Sequence, residues 1–132
     1  MICGVHGLIG AALGKVLKDK KLAFIAGVAS HFVADMIPHR DLSVEAESVL
    51  AAGSLAAITA TQGTASAAFW GALGAMLPDT ENAINYLRGE GRYFFPSHTD
   101  RHGPKVGEII SQVGIALICL AILLDSENKK KT

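Results

Sequence analysis

Cysteine is scarce in this sequence, which has only Cys3 and Cys119 among its 132 residues. The two lie at opposite ends of the chain and form no CxxC pair, which argues against a disulfide framework. We expect both to be buried, unreactive thiols. The first residues also lack the basic region and the small-residue cleavage site of a signal peptide, so we expect the first apolar stretch to be kept in the mature protein.

Charge is limited as well, since only 18% of the residues are charged and the 12 basic residues balance the 12 acidic ones. No basic stripe or aromatic platform is present, so we do not expect the protein to bind nucleic acid. Half of the residues are hydrophobic, and the mean hydropathy is +0.35. This is more apolar than an ordinary soluble domain and favours a protein that contacts a membrane.

Five apolar segments predict the helices of this protein. Only the last reaches the roughly 20 residues that a straight membrane span needs, but their density along the chain favours a membrane location. No segment alternates strictly, and Ala and Gly dominate where a strand would carry Val, Ile and Thr. We therefore predict one all-α domain over residues 1–132, a small bundle of about five short helices that is transmembrane or membrane-embedded. The segments are Val5–Leu17, Leu22–Ile37, Val49–Thr61, Ala65–Leu77 and Val106–Leu124.

Two polar regions flank the last segment. We expect residues 80–105 to form a polar loop that carries part of a site, and residues 126–132 to form a basic tail. The lysine-rich turn after the first segment and this tail should both be cytoplasmic. If all five segments cross a membrane, the polar residues at His6, 35–41, Asp79 and 98–102 fall on one face.

The strongest local motif combines histidine, aspartate and proline at the end of the second segment. His31 and Asp35 are four residues apart, so on a helix they share one face and can bind the same ion. Pro38 turns the chain and leaves His39 at the helix mouth, and Asp41 follows as a ligand or as an acceptor for a histidine N–H. The alternative is a structural pair in which Asp35 accepts from His31. Ionisable residues in an apolar segment are costly, which favours a functional site.

Further potential ligands belong to the same predicted layer. Asp79 follows Pro78 at the end of the fourth segment, where its alternative role is to cap the next helix. A set of His and carboxylate ligands with no nearby thiolate suits Zn²⁺ or another first-row ion such as Mn²⁺ or Fe²⁺, and we expect one or two ions, most simply zinc. The predicted metal ligands are His6, His31, Asp35, His39, Asp79, His98 and His102.

A divalent ion at such a site predicts hydrolysis. A carboxylate would act as the general base, and basic side chains would hold an anionic phosphoryl group. The candidate bases are Asp41 and Asp100, and the candidate substrate-binding residues are Arg40, Arg101 and Lys105.

With these residues in view, the chain resembles the membrane-bound, metal-dependent hydrolases, a prokaryotic group of small multi-pass inner-membrane proteins. The matching features are His6 before a Gly-rich apolar helix, Leu77-Pro78-Asp79 closing a later helix, and Arg101-His102-Gly103 before the last segment. The chain departs from the family pattern where Thr80-Glu81-Asn82 replaces a further Asp-His pair and where the His-rich stretch is reordered. The resemblance implies a multi-pass protein of the inner membrane, in contact with membrane lipid, that hydrolyses its substrate with a metal.

The run from His31 to His39 also resembles a segment of zinc-dependent phospholipase C and P1-type nucleases, in which HxxxD is followed closely by Pro and His. Those helical enzymes hydrolyse phosphate esters with clustered zinc ions, whereas this chain is too short for their whole fold. The likeness implies zinc and a phosphoester or phospholipid substrate.

Two other functions remain open from the sequence. The chain could be a non-enzymatic membrane protein, such as a scaffold or assembly subunit, that uses the polar layer or a structural metal for stability. It could also be a soluble helical bundle that buries the same segments by forming a homo-oligomer.

Overall fold

A computed structural model describes residues 1–89, 91–99 and 109–125 of the protein. Within these residues the regular structure is entirely helical, which confirms the all-α prediction. The helices are α1 (Cys3–Leu17), α2 (Lys20–Asp35), α3 (Val44–Gln62), α4 (Ala67–Met76), α5 (Thr80–Arg88), α6 (Pro96–Thr99) and α7 (Ile109–Leu124).

Capping side chains determine where three helices begin. The Asp19 carboxylate accepts a hydrogen bond of 2.7 Å from the Leu22 N–H at the start of α2. The Ser66 hydroxyl accepts one of 3.0 Å from the Phe69 N–H at the start of α4, and Ser43 caps α3 in the same way. Because these oxygens satisfy N–H groups that a helix start leaves without partners, each cap stabilises its helix at that position.

The five apolar segments correspond to α1, α2, α3, α4 and α7, with shifted ends. Helix α3 begins at Val44 instead of Val49, because Ser43 caps it and the acidic Glu45 and Glu47 favour its first turn. The polar stretch 80–105, predicted as a loop, contains α5 and α6 in its described part. None of the helices within residues 1–89, 91–99 and 109–125 is both long and apolar enough to cross a membrane.

Helix α4 packs closely against α1 and α2 through small residues. A Cβ atom at Gly10 would meet the carbonyl oxygen of Gly71, and one at Gly14 would meet that of Ala67. On α2, a Cβ atom at Gly27 would also meet the Gly71 carbonyl. Such close backbone approach is possible only where side chains are absent. The packing brings the start of α1 to the ends of α2 and α4, where most of the predicted ligands lie.

Helix α7 is attached to the bundle by polar contacts at its C-terminal end. Lys15 Nζ on α1 donates to the carbonyl oxygens of Leu123 at 2.7 Å and Asp125 at 2.8 Å. Gln62 Nε2 at the end of α3 also donates to the Leu123 carbonyl, at 3.2 Å. Carbonyls in the last turn of a helix have no partner within it, so these donors stabilise the end of α7 against α1 and α3.

Candidate metal centre

Five of the predicted ligands meet at one end of the bundle, and we call them the cluster. Their side chains come from four parts of the chain, and His31 and Asp35 are only 0% and 1% exposed. The cluster consists of His6 near the start of α1, His31 and Asp35 near the end of α2, Asp79 just before α5, and His98 in α6.

Four side chains of the cluster have their ligand atoms closest together, and these are His31, Asp35, Asp79 and His98. Asp35 Oδ2 lies 3.1 Å from His31 Nε2 and 3.8 Å from His98 Nε2. Asp79 Oδ1 lies 3.9 Å from His31 Nε2 and 3.5 Å from His98 Nε2. The two Nε2 atoms are 3.4 Å apart. Four tetrahedral ligands at about 2.1 Å from one ion are separated by about 3.4 Å, so the observed spacing is close to that of a metal site.

His6 extends the cluster beside the other oxygen of Asp35. Its Nε2 lies 3.0 Å from Asp35 Oδ1, and its ring stacks on the His31 ring with centroids 3.9 Å apart. Ligand atoms of His6, His31 and Asp79 lie within 4.8 Å of one another, as do those of His31, Asp35 and His98. Because the two oxygens of Asp35 face different histidines, the cluster offers ligand sets for one ion or for two.

The Nδ1 atoms of two cluster histidines have defined partners. His31 Nδ1 lies 2.8 Å from the carbonyl oxygen of Ala75, and His98 Nδ1 lies 3.1 Å from Oε2 of Glu81. A carbonyl or carboxylate oxygen can only accept, so we assign the proton to Nδ1 in both rings. In the neutral form of each ring the Nε2 lone pair then points into the cluster, as it does in metal-bound histidines.

These lone pairs face other acceptors. Each of the two Nε2 atoms, on His31 and His98, lies 3.9 Å or less from a carboxylate oxygen of both Asp35 and Asp79. In addition, His6 Nδ1 and Asp79 Oδ2 are buried without a hydrogen-bond partner among the described residues. Buried acceptors in contact are unfavourable unless a cation lies between them. The donor set therefore fits a divalent metal ion.

The pKa values of the cluster favour ionised carboxylates and a neutral His6. Burial raises the pKa of Asp35, but contacts with His31 and His6 outweigh burial and hold it far below its ordinary value. Burial also raises the pKa of Asp79, and contact with His98 outweighs it, so the net shift is downward. Burial lowers the pKa of His6 to about 4. Metal ligands must be deprotonated, so these directions suit metal binding.

At His98, a proton can compete with a metal ion for the Nε2 atom. Burial lowers the pKa of His98, but the neighbouring carboxylates of Asp79 and Glu81 outweigh burial and raise it above the ordinary value. The cation that these carboxylates attract can therefore be a proton on His98 or a metal ion beside it. Metal binding at this position is expected to release a proton.

His39 and Asp41 form a second pair beside the cluster. His39 is buried, with Nδ1 2.7 Å from the Ile37 carbonyl oxygen and Nε2 3.0 Å from Asp41 Oδ1. The amino group of Met1 contacts both side chains and lies 2.9 Å from Asp35 Oδ1. Burial raises the pKa of Asp41, but the contact with His39 outweighs burial and lowers it. The Asp41 side chain is 36% exposed, so it is accessible to water.

The remaining predicted site residues are not part of the cluster. Arg40 is exposed, and its carbonyl oxygen accepts a hydrogen bond from Gln112. Asp79 occupies the cap position of α5, but its side chain makes no capping hydrogen bond and faces the histidines instead. The residues Asp100, Arg101, His102 and Lys105 lie outside the described residues, as does the basic tail 126–132.

Glu81 supports the cluster, although no sequence motif marked it as a site residue. Besides His98 Nδ1, its carboxylate accepts hydrogen bonds from the backbone N–H groups of Phe94 and Phe95. The Glu81 side chain thus positions both the His98 ring and the backbone segment just before α6. Its position two residues after Asp79 was the only sequence signal.

Gln112 and Glu47 form hydrogen bonds to the backbone of the segments around the cluster. Gln112 is buried in α7, accepts from the Ile2 N–H at 2.8 Å and donates to the Arg40 carbonyl at 2.8 Å. Glu47 accepts from the Leu42 N–H at 3.0 Å. The signal for Gln112 in the sequence is an amide side chain within an apolar segment.

Both cysteines are free and buried, as expected. The Cys3 thiol nevertheless contacts Asp79, although no sulfur ligand was expected near the site. Burial, with the charge of Asp79, raises the pKa of Cys3, so the thiol stays protonated and the side chains available as metal ligands are histidine and carboxylate.

Comparison with family models, with curated proteins and with solved structures found no match to this chain.

Proposed function

We propose that this protein is a metal-dependent hydrolase whose cluster binds a divalent ion, most simply zinc. The observation that carries this proposal is the convergence of the His31 and His98 Nε2 lone pairs on the carboxylate of Asp35, which lies 3.1 and 3.8 Å from them. Histidine and carboxylate ligands, with the far histidine nitrogen bonded to an acceptor, are typical of catalytic zinc sites. A second ion beside His6 would share Asp35 Oδ1 with the Met1 amino group, which lies 2.9 Å from that oxygen.

The proposed reaction is hydrolysis of a phosphoester. A bound divalent ion supplies Lewis-acid polarisation of a phosphoryl oxygen. Asp41 is the candidate base, because its exposed carboxylate borders the groove beside the cluster and His39 Nε2 lies 3.0 Å from it. Its lowered pKa keeps it ionised, as a proton acceptor must be, and at the same time makes it a weak base. Arg40 is the described candidate for binding the phosphoryl group, because it directly precedes Asp41.

A structural metal site is the second candidate function. His6, His31 and Asp35 are each 1% exposed or less, as in closed metal sites that only stabilise a fold. Asp79 and His98, which border the groove together with Asp35, are less deeply buried, with side chains 15% and 5% exposed. An ion held by these two residues would remain accessible to a substrate, and this access favours catalysis.

We also propose that the protein acts at the inner membrane in contact with lipid. Large apolar side chains are exposed on the outer helices, including Ile25 on α2 at 64%, Val49 on α3 at 71% and Ile110 on α7 at 71%. Soluble monomers rarely expose large contiguous apolar areas. Lipid would cover these side chains, and a homo-oligomer is the other way to do so.

Metal analysis of the purified protein tests the metal site. We expect the wild-type protein to bind one or two zinc ions, and Asp35→Asn and His31→Ala to lose them. Asp19→Asn is the matched control, because it makes the same chemical change at the α2 cap, and Asn caps a helix as well as Asp does. Zinc retained at wild-type affinity by both cluster variants would contradict the proposal.

Hydrolysis of a chromogenic phosphodiester by the same samples separates a catalytic from a structural metal. Asp41→Asn should retain zinc but lose about 10²-fold or more in rate, the range for removal of a general base. A zinc-loaded wild-type protein with no activity on phosphomonoesters or phosphodiesters would favour the structural role.

A further inference from the structure

A groove of about 860 Å³ opens beside the cluster and is lined by residues of α3, α4 and α5. Asp35, Asp79 and His98 form its polar end. Sites for small molecules have volumes of roughly 300–1,000 Å³, so the groove is large for a phosphoryl group alone. Its apolar walls are formed mainly by Ala51, Ala52, Leu55, Leu73, Met76 and Leu77.

The α3 wall of the groove is a continuous stripe of small and apolar side chains. Ser48, Ala51, Ala52 and Leu55 recur at helical spacing, so they share one face of α3. At 1.5 Å per residue this stripe is about 10 Å long. Glu47 also lines the groove, but its carboxylate accepts backbone hydrogen bonds and does not require a polar ligand.

Polar groups on the opposite wall already have partners within the protein. Asn82 Nδ2 donates to Asp79 Oδ1 at 3.3 Å, and Asn85 donates to the carbonyl oxygen of Arg92. The hydrogen-bonding demand of the groove is therefore concentrated at the cluster. A ligand that fills the groove needs a polar group at one end and an apolar body along the rest.

We propose that the substrate is an amphiphile, with its phosphoester at the cluster and an alkyl chain along the groove between α3 and α4. The head position rests on the proposed function, whereas the chain position rests on the groove alone. Leu77 of the apolar wall is 51% exposed, and a bound chain would remove it from water. Burial of the chain would then provide most of the affinity, as it does for apolar ligands in general.

Binding of alkylphosphonates with two, six and ten carbons tests this inference, because they carry the anionic head and cannot be hydrolysed. We expect affinity for the zinc-loaded protein, measured by calorimetry below the micelle concentration, to rise about fourfold per added methylene until the groove is full. Ala52→Phe should weaken decylphosphonate binding tenfold or more and leave ethylphosphonate binding unchanged. Ala56→Phe is the matched control, because Ala56 is exposed on α3 and does not line the groove, so it should bind both ligands like wild type.

Metal content measured on the same samples separates the two proposals. Zinc binding without any dependence on chain length would overturn the amphiphile and leave the metal site in place. Dependence on chain length in a protein that binds no zinc would support the groove and contradict the metal site. Equal weakening by Ala52→Phe and Ala56→Phe would assign the chain to the general apolar surface and overturn the inference.

Discussion

The side chains that contact the candidate metal ligands determine how the cluster can act, beginning with Glu81. Its Oε2 lies 3.1 Å from His98 Nδ1, and the same carboxylate accepts from the Phe95 N–H at 3.2 Å. The first contact selects the nitrogen that faces the cluster, and the second positions the chain before α6. Glu81 is therefore a positioning residue, since it would act on a bound ion only through His98.

Replacement of Glu81 should weaken metal binding without removing a ligand. We expect Glu81→Ala to lower zinc affinity about 10- to 100-fold, the usual loss when a partner of a metal-bound histidine is removed. Glu81→Gln should lose less, because its amide oxygen can take the place of Oε2 and accept from His98 Nδ1 and the Phe95 N–H, while the Phe94 N–H loses its acceptor. Competition with a chromophoric zinc chelator measures both values.

The control for this prediction is another glutamate. Glu45 is exposed and its carboxylate accepts from the Tyr86 hydroxyl, away from the cluster, so Glu45→Ala should bind zinc like wild type. Wild-type zinc affinity in Glu81→Ala would show that His98 does not depend on this contact.

The ligands could be predicted from sequence more easily than the groups that orient them. His31 and Asp35 are four apart in one helix, so their proximity follows from helix geometry alone. The partner of His31, in contrast, is the carbonyl oxygen of Ala75, and any residue type could supply it. The contact between Glu81 and His98 requires the chain to turn back between α5 and α6, which no local pattern indicates.

At the scale of the helices, the approach of α1 to α4 decides whether the ligands meet. A Cβ atom at Gly10 would meet the Gly71 carbonyl oxygen and the Ala75 Cβ. Ala75 is also the residue whose carbonyl holds His31. A side chain at position 10 would thus push α4 away from α1 and shift the acceptor of His31.

Gly10→Ala should therefore lower the free energy of unfolding by about 1–3 kcal/mol, the typical effect of overpacking. Gly53→Ala is the matched control, because a Cβ atom there has nothing within 4 Å. It should raise the free energy of unfolding by up to about 1 kcal/mol, since Ala favours helix more than Gly does. Urea unfolding followed by circular dichroism measures both, and equal stability of the two variants would contradict the packing described here.

Hydropathy predicted the positions of the helices better than their ends. The apolar run after Val49 indicated α3, but the helix begins at Val44 because Ser43 caps it, and a cap leaves no trace in hydropathy. Helix α5 (Thr80–Arg88) was assigned to a loop because most of its residues are polar. It packs against α3 and contains no apolar run that would mark it in the sequence.

At the scale of the whole molecule, the outer face of α7 indicates what surrounds the bundle. Ile110, Val113, Leu117 and Leu124 recur at helical spacing and are 71%, 48%, 62% and 70% exposed. The opposite side of α7 is anchored by Gln112, which is 1% exposed, and by the contacts of Lys15 with its last turn. This exposed stripe is available to lipid or to a second copy of the chain.

The proposed membrane location predicts that the protein stays in the membrane fraction after washing with alkaline carbonate and is released only by detergent. Changing both Ile110 and Leu117 to Asp should shift the protein into the soluble fraction, because each charge costs about 2.5–3.5 kcal/mol in lipid.

The matched control changes both residues to Val, which keeps the stripe apolar and should leave the protein in the membrane. Release of the wild-type protein by carbonate alone, as an oligomer that the Asp variant dissociates, would assign the stripe to self-association instead. None of the cluster ligands lies on α7, since they are carried by α1, α2, α6 and the residue before α5, so zinc binding by the detergent-released protein should match that measured in membranes.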